Sequence, residues 1–458
     1  MTNFALPGRL TRSLYLYRQL LAGIAVNLLV LSGGLSIGYS ATLLPQLKND
    51  VSYSHDSSYD SWIASLTPLS MALGCLCCGS FIDRFGRKMG LVICIVPSLM
   101  GWLMLGFTNN IVWTLLGRFF AGFCSGAYRP MGFVYLSEIT DPKRRAIALL
   151  STSVSSNFGV LCSHVIGSNL YWRTAAFIFG LPNILSFVLF ITLKESPLWL
   201  ISKGKTDKGE EIFKWFREKS EPSEKELRSA MNKYEDISPH MSLRELFRIL
   251  RSKIFIKPLA ITTLLVASTQ LSNVNTICYY ALDIFGNTFP ENIDSALVMV
   301  IFDCLRVGCS ITTIVFSKCL PRRPTFLICG FGTTAFLVGL VFYMSFDTSN
   351  LVWLGMTCLI LYICSASIMV TTAWSFVSEL FPGTVRGLGS AMSSFILFIL
   401  QFICVKITPD FMNTYGMPAI YAGSAIVVFV CTLILCFILP ETNGKSLQEI
   451  EDGIESRK

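Results

Sequence analysis

Apolar residues run along this chain in long blocks separated by short polar punctuation. A membrane-spanning helix needs about 20 mostly apolar residues. Twelve blocks meet that need: 19–43, 61–81, 89–108, 112–138, 146–170, 174–193, 258–285, 294–318, 324–346, 350–379, 387–408 and 417–439. The strands of a closed barrel, the other structure able to cross lipid, alternate apolar and polar residues over about ten positions. These blocks do not alternate, so the expected elements are twelve transmembrane helices. Six precede and six follow the one long stretch that is charged throughout, from about Lys194 to Lys257.

Composition agrees with a chain that lives mostly in lipid. Only 14% of the 458 residues are charged and 52% are hydrophobic, against roughly 25% charged in an average soluble domain. Basic residues concentrate in cytoplasmic loops. With both termini inside, 31 of the 37 Lys and Arg fall on the cytoplasmic side, the other six being Lys48, Arg118, Arg129, Arg173, Arg306 and Lys406. The net charge of +8 therefore reports topology, and no soluble basic module points to a nucleic-acid partner. Arg9, Arg12 and Arg18 precede a long apolar block without a small-residue cleavage site, so the first helix is expected to act as its own insertion signal. The 16 Cys lie in or beside apolar blocks and read as small buried hydrophobes. The three His (His55, His164, His240) are far apart in sequence, and neither a metal site nor a cofactor is expected. No nucleophile–base constellation points to an enzyme.

The two sets of helices repeat one another. Asp83, Arg84, Gly86, Arg87 and Lys88 after the second span face Lys318, Pro321, Arg322 and Arg323 after the eighth. Glu138 with Arg145 matches Glu379 with Arg386, and Glu195 matches Glu441. A nearly constant spacing of 235, 241 and 246 residues separates these pairs, as duplication followed by loop drift would leave. The expected organisation is a six-helix bundle over 1–193, a cytoplasmic linker over 194–257, a second bundle over 258–440 and a tail over 441–458. All the landmarks lie on the predicted cytoplasmic side, where acids and bases at helix ends can form a gate of ion pairs between the halves. The alternative is that they are only positive-inside anchors and solvated turns.

The motifs GSFIDRFGRK (79–88), GRFFAGF (117–123), YLSEITDPKRRA (135–146), ESPLWL (195–200), QLSNVNTICYYALDIF (270–285), SELFPGTVRG (378–387) and PETNGKSL (440–447) occur in order along nearly the whole chain. In these the sequence resembles the sugar porter family of the major facilitator superfamily, and within it the insect hexose and trehalose facilitators. The resemblance implies an all-α membrane protein whose two six-helix bundles rock about a central site. Short amphipathic cytoplasmic helices are implied between the halves, fitting Ile212, Phe213, Trp215 and Phe216, and Leu243, Leu246, Phe247 and Leu250.

It also implies a sugar site. Gln270 and Asn275 stand at sugar-bonding positions of the seventh span, Tyr279 and Tyr280 at an outer aromatic gate, and Trp374 at the pocket tryptophan of the tenth. Gln270 can instead glue helices together, and Trp374 can be an interfacial anchor. Several positions depart from the family. Ser153 replaces a Gln of the fifth span, Thr269 the first Gln of the seventh, and Asn273 a Gly. The usual Gly-Pro-rich break of the tenth span is Ile368 to Ala373 here, without Gly or Pro, and Leu397 replaces an Asn of the eleventh.

Charge inside a membrane helix is costly and usually partnered. Arg129 lies deep in the fourth span and Arg306 in the eighth. Asp303, three residues earlier on the same helix face, is the expected partner of Arg306. The alternative is that Arg306, among the candidate substrate residues, selects an anionic or unusually polar solute. Proton-coupled relatives are expected to place an acid on the first span facing Arg118, where this chain has Ser40. The reading is a facilitator (a uniporter) of a small sugar in the cell membrane, multi-pass, with the sugar and the lipid bilayer as partners and no protein partner indicated. A sugar receptor that no longer cycles, or a carrier of another polar or anionic solute, are the alternatives.

Overall fold

The computed structural model describes residues 8–441 apart from 51–52, 54–56, 291, 317–320, 347–351, 382–385 and most of 218–250. The first six spans are α1 (Gly8–Asn49), α2 (Asp60–Phe85), α3 (Arg87–Phe107), α4 (Ile111–Ile139), α5 (Pro142–Asn169) and α6 (Trp172–Thr192). Two short helices come next, α7 (Pro197–Ser202) and α8 (Thr206–Phe216). The second set is α9 (Lys253–Leu271), α10 (Val274–Thr288), α11 (Ser295–Phe316), α12 (Arg322–Ser345), α13 (Val352–Glu379) and α14 (Arg386–Ile438).

Twelve crossings result. Ten helical stretches are long and apolar enough to cross a membrane. To these are added α4, with Arg118 and Arg129 inside it, and a second crossing from α14. At 1.5 Å per residue the 53 residues of α14 would reach about 80 Å, far beyond a hydrocarbon core of about 30 Å. The chain instead turns back at Gly416, whose φ of 75° suits glycine. Its two ends then return to the same helix: Leu388 clusters with Phe255 of α9, and Leu435 with Ile261 of α9.

The seventh span is where the chain interrupts a helix inside the membrane. Helix α9 stops at Leu271 and α10 starts at Val274, with Asn273 between them in the left-handed region at φ 62°. Asn is among the few side chains that tolerate this region, which explains how it can stand where relatives use Gly. By contrast α13 runs unbroken for 28 residues. Without Gly or Pro, Ile368 to Ala373 have nothing to open the helix there.

Within each set, small residues let helices touch. A Cβ on Gly34 of α1 would come within 2.1 Å of the Ser156 carbonyl oxygen of α5, and one on Gly159 of α5 within 2.3 Å of that of Leu31. Gly74 and Gly126 bring α2 against α4 in the same way. The sets meet where α1 packs on α10, α2 on α14 and α5 on α11. Helix α8 docks as the linker pattern predicts: Phe213 and Phe216 are buried, Arg18 Nη1 donates to the Trp215 carbonyl at 2.8 Å and Gln19 Nε2 to that of Phe216 at 2.9 Å. Leu243, Leu246, Phe247 and Leu250 of the second predicted linker helix lie outside the described residues, as does the tail from 442.

These contacts predict that Gly159→Val forces α1 and α5 apart. Overpacking costs about 1–3 kcal/mol, so the apparent melting temperature of the purified protein should fall. Gly308→Ala, with no atom within 4 Å of the added carbon, should leave it unchanged. Equal melting of the two variants would show that the close approach carries no stability.

Candidate functional site

A central cavity opens between the two sets of helices. One wall comes from α1, α2, α4 and α5, the other from α9, α10, α11, α13 and α14. Gln270, Asn275, Trp374, Ser153 and Arg306 all line it. Two predicted contacts do not. Thr269 is buried with its hydroxyl on the Val266 carbonyl at 2.8 Å, and the Asn273 amide donates to Ser424 Oγ at 2.5 Å, toward the last span. The left-handed turn at Asn273 swings that side chain toward Ser424, which the spacing along a regular helix could not reveal. Leu397 lines the cavity as an apolar residue, and Asn157, Cys278 and Gln401 join the lining.

A chain of polar contacts crosses the floor of the site. Asn275 Nδ2 donates to Gln270 Oε1 at 3.3 Å, and Asn275 Oδ1 accepts from Arg306 Nη2 at 3.0 Å. Arg306 Nη1 also meets the Cys278 sulfur. Asn157 Nδ2 donates to Ser310 Oγ at 2.7 Å, joining the fifth span to the eighth. From the opposite wall, the Arg129 guanidinium lies 5.2 Å from the centre of the Trp374 ring. This fixes Trp374 as a lining residue that bridges the halves, not an interfacial anchor.

The expected Asp303–Arg306 pair does not form. Asp303 Oδ2 instead meets His164 Nδ1 of α5 at 2.5 Å, and both side chains are fully buried. The alternation of helix faces placed Asp303 and Arg306 together, but His164 from the other half takes the carboxylate. The other ring nitrogen, His164 Nε2, lies 3.1 Å from the Cys278 carbonyl oxygen. A carbonyl only accepts, so Nε2 carries hydrogen. The Nδ1–carboxyl contact then needs one further proton between its two atoms. With that shared proton the pair is neutral overall, whichever atom holds it. One signal for His164 was visible in the sequence: a titratable side chain inside an apolar block calls for a partner.

At the ends predicted to face outward, the halves are shut against each other. Lys406 Nζ donates to Ser61 Oγ at 2.7 Å and lies 4.1 Å from the centre of the Trp62 ring. Tyr279 and Tyr280 are buried beside this seam, with the Tyr280 hydroxyl on the Val405 carbonyl at 3.0 Å. Arg118 is fully buried. It donates to the Ser36 carbonyl at 2.8 Å, the Ile63 carbonyl at 3.1 Å and the Ser40 hydroxyl, tying α4 to α1 and α2.

The predicted cytoplasmic landmarks hold partners within their own half. Arg87 Nε reaches both Glu138 oxygens at 3.2 Å and Arg87 Nη1 reaches Asp83 at 3.3 Å, while Ser196 also bonds Glu138. Glu195 accepts from the backbone N–H groups of Lys88 at 2.8 Å and Met89 at 3.2 Å, capping the start of α3. Gly86, at φ 103°, makes room for it, because a Cβ there would come within 2.5 Å of the carboxylate. Lys88 Nζ holds the Leu193 carbonyl at 2.6 Å, and Arg84 lies over the Phe85 ring. In the second half Glu441 repeats the cap on the N–H groups of Arg322 at 3.2 Å and Arg323 at 3.1 Å. These partners of Glu138, Glu195 and Glu441 all belong to the same half as the acid. Arg145 stands at the start of α5, and the side chains of Glu379 and Arg386 lie outside the described residues.

Residues 27–453 match the sugar (and other) transporter family. The chain belongs to that family. It is similar to the facilitated trehalose transporter Tret1 of Polypedilum vanderplanki, at 28% identity over 98% of this chain and 90% of the relative. To the facilitated trehalose transporter Tret1 of Apis mellifera ligustica it is 30% identical, over 94% of this chain and 87% of the relative. Several longer Drosophila relatives are matched over about half of their own length. Among solved structures it is similar to the major facilitator superfamily proton:xylose symporter XylE of E. coli bound to 6-bromo-6-deoxy-D-glucose. The TM-score is 0.77 at 18% identity, covering 96% of this chain and 99% of the other, a likeness that establishes the fold. This member of the sugar transporter family is thus a multi-pass membrane transporter with the twelve-helix major facilitator fold.

In this transporter the His164–Asp303 contact should act as a latch between the halves. Removing one member of a buried pair costs about 3–5 kcal/mol because the other is left unpaired. His164→Ala is expected to raise hydrogen exchange in the outer parts of α5 and α11 well above wild type, with the cytoplasmic ends unaffected. Unchanged exchange there would show that the pair does not hold the halves together.

Proposed function

We propose that this transporter carries a small sugar, a hexose or a disaccharide such as trehalose, down its gradient by alternating access. The observation that carries the reading is the cavity between the halves, lined by the amides of Gln270, Asn275, Asn157 and Gln401, the Ser153 hydroxyl and the Trp374 ring. Polyols need neutral donors and acceptors together with an aromatic surface for their C–H face. The curated relatives named as facilitated trehalose transporters support the same substrate class. The membrane is the plasma membrane and both termini are cytoplasmic, as the distribution of Lys and Arg supports. The acid–base landmarks, Glu138, Arg145, Glu379 and Arg386 among them, form the cytoplasmic gate. Tyr279 and Tyr280 form the outer one.

Transport is uniport. The first span has no carboxylate before Asp50, and Arg118 is satisfied by two carbonyls and a hydroxyl in place of an acid.

Two measurements on purified protein in liposomes test this. Asn275→Ala removes an amide that both donates and accepts, at a cost of about 1–3 kcal/mol, so sugar affinity should fall roughly 5- to 150-fold. Wild-type affinity in the variant would take Asn275 out of the site. Second, an imposed pH gradient should not drive sugar above its external concentration. Accumulation abolished by a protonophore would replace uniport by symport, with the shared proton of His164 and Asp303 as its carrier.

A further inference from the structure

We propose that the cavity is built for an anionic sugar, one whose carboxylate or phosphate is held by Arg306 and Arg129 while the amides hold its hydroxyls. The inference rests on the reading that the substrate is a small sugar, and it names which kind.

Two guanidinium groups line this one cavity, and an arginine keeps its charge under all ordinary conditions. A neutral sugar needs neither. Among the described residues, no carboxylate lines the cavity. The candidate counter-ion of Arg306 was Asp303, but that carboxyl is taken by His164 at 2.5 Å. Because His164 Nε2 must donate to the Cys278 carbonyl, the His164–Asp303 contact contains a shared proton and contributes no net charge. Arg306 is therefore held by the Asn275 carbonyl oxygen, the Cys278 sulfur and the Phe302 face, all of them uncharged. Arg129 is in the same position. The group that lies against it is the Trp374 ring, and the next acid along its helix, Glu138, is occupied by Arg87 and Ser196.

Charges at this depth are expensive unless paired. Among the described residues the protein supplies no such pair, and the two charges face the space between two walls. Arg129 comes from the first half and Arg306 from the second, so an anion between them would be attracted by both and draw the halves together. The planar fork of each guanidinium suits the oxygens of a carboxylate or a phosphate alike. Gln270 and Asn275, already linked at 3.3 Å, stand beside Arg306 to receive the hydroxyls of the attached sugar ring.

Moving such a substrate alone carries negative charge across the membrane, and this gives a readout independent of any variant. Purified protein in liposomes is offered labelled glucose, glucuronate and glucose 6-phosphate at limiting concentration. At least one of the two anions should enter about tenfold faster than glucose, as a charge-assisted contact allows. An inside-positive potassium diffusion potential should speed the anion and leave glucose unchanged. Which anion responds identifies carboxylate or phosphate as the group held. Arg306→Gln and Arg129→Gln should each reduce the ratio of anion to glucose uptake by about tenfold, with Arg306→Lys retaining part of it. Wild-type melting temperature and a single symmetric elution peak show that the variants fold. Glucose entering as fast as both anions, or anion uptake indifferent to potential, would overturn the inference while leaving sugar transport standing. Uptake of none of the three would overturn both.

Discussion

Lipid offers no partner to a charge, so a charge buried in a membrane helix has to be satisfied by neighbouring helices, and the architecture of this transporter is organised around that demand. Arg118 reaches from α4 to the backbones of α1 and α2 and fastens three helices of one half. Lys406 reaches from α14 to Ser61 and the Trp62 ring of the other half. His164 and Asp303 meet from α5 and α11. Each is a point where one helix holds another, and the last two hold the halves together. Helix packing elsewhere rests on close approach at small residues such as Gly34 and Gly159, which gives contact without direction. The charged groups add direction, because a guanidinium or a carboxyl accepts only certain partners.

The repeat in the sequence explains one layer of the structure and its departures explain the other. Glu195 and Glu441 do the same work in the two halves, each accepting two backbone N–H groups at the start of a helix. Carboxylates favour that position because unpaired N–H groups and the positive end of the helix dipole meet there. The halves differ where the cavity lies. The seventh span is broken at Asn273, whereas α1, its counterpart in the first half, is continuous from Gly8 to Asn49. A break inside the membrane is tolerated where the freed backbone is covered by protein. Here the Ser272 carbonyl accepts the Tyr362 hydroxyl at 2.6 Å. The break lies between Gln270 and Asn275, so the span's interruption sets the relation of the two amides that face the cavity.

The fold was legible in the sequence because lipid simplifies the problem. Apolar length alone marks a crossing, and twelve blocks became twelve crossings. The motifs marked the helix ends, although the carboxylates that cap them, Glu195 and Glu441, come from more than a hundred residues along the chain. The site was legible only in part, since it depends on which side chains meet across halves more than a hundred residues apart. Gln270, Asn275, Ser153 and Trp374 do line the cavity. Thr269 does not line the cavity because its hydroxyl turns back to the Val266 carbonyl of its own helix, and Asn273 because the left-handed turn there aims its amide at Ser424. Asp303 was given to Arg306 because spacing on one helix is visible in a sequence. His164, 139 residues away, is not.

The resulting arrangement puts a cavity contact and two contacts to the other half on one helix. Arg306 bonds Asn275 at the cavity, Asp303 bonds His164 of the other half, and Ser310 accepts from Asn157 of the other half, all from α11. Three residues advance an α-helix by about 4.5 Å and nearly one turn, so Asp303 and Arg306 cannot move independently without distorting the helix. A rocking of the halves that parts α5 from α11 must therefore break the His164–Asp303 and Asn157–Ser310 contacts while it shifts the wall that holds Arg306. Parting the buried pair is feasible only if water reaches both groups as they separate. Any opening at the ends predicted to face outward therefore has to hydrate this seam and part the Lys406–Ser61 contact as well.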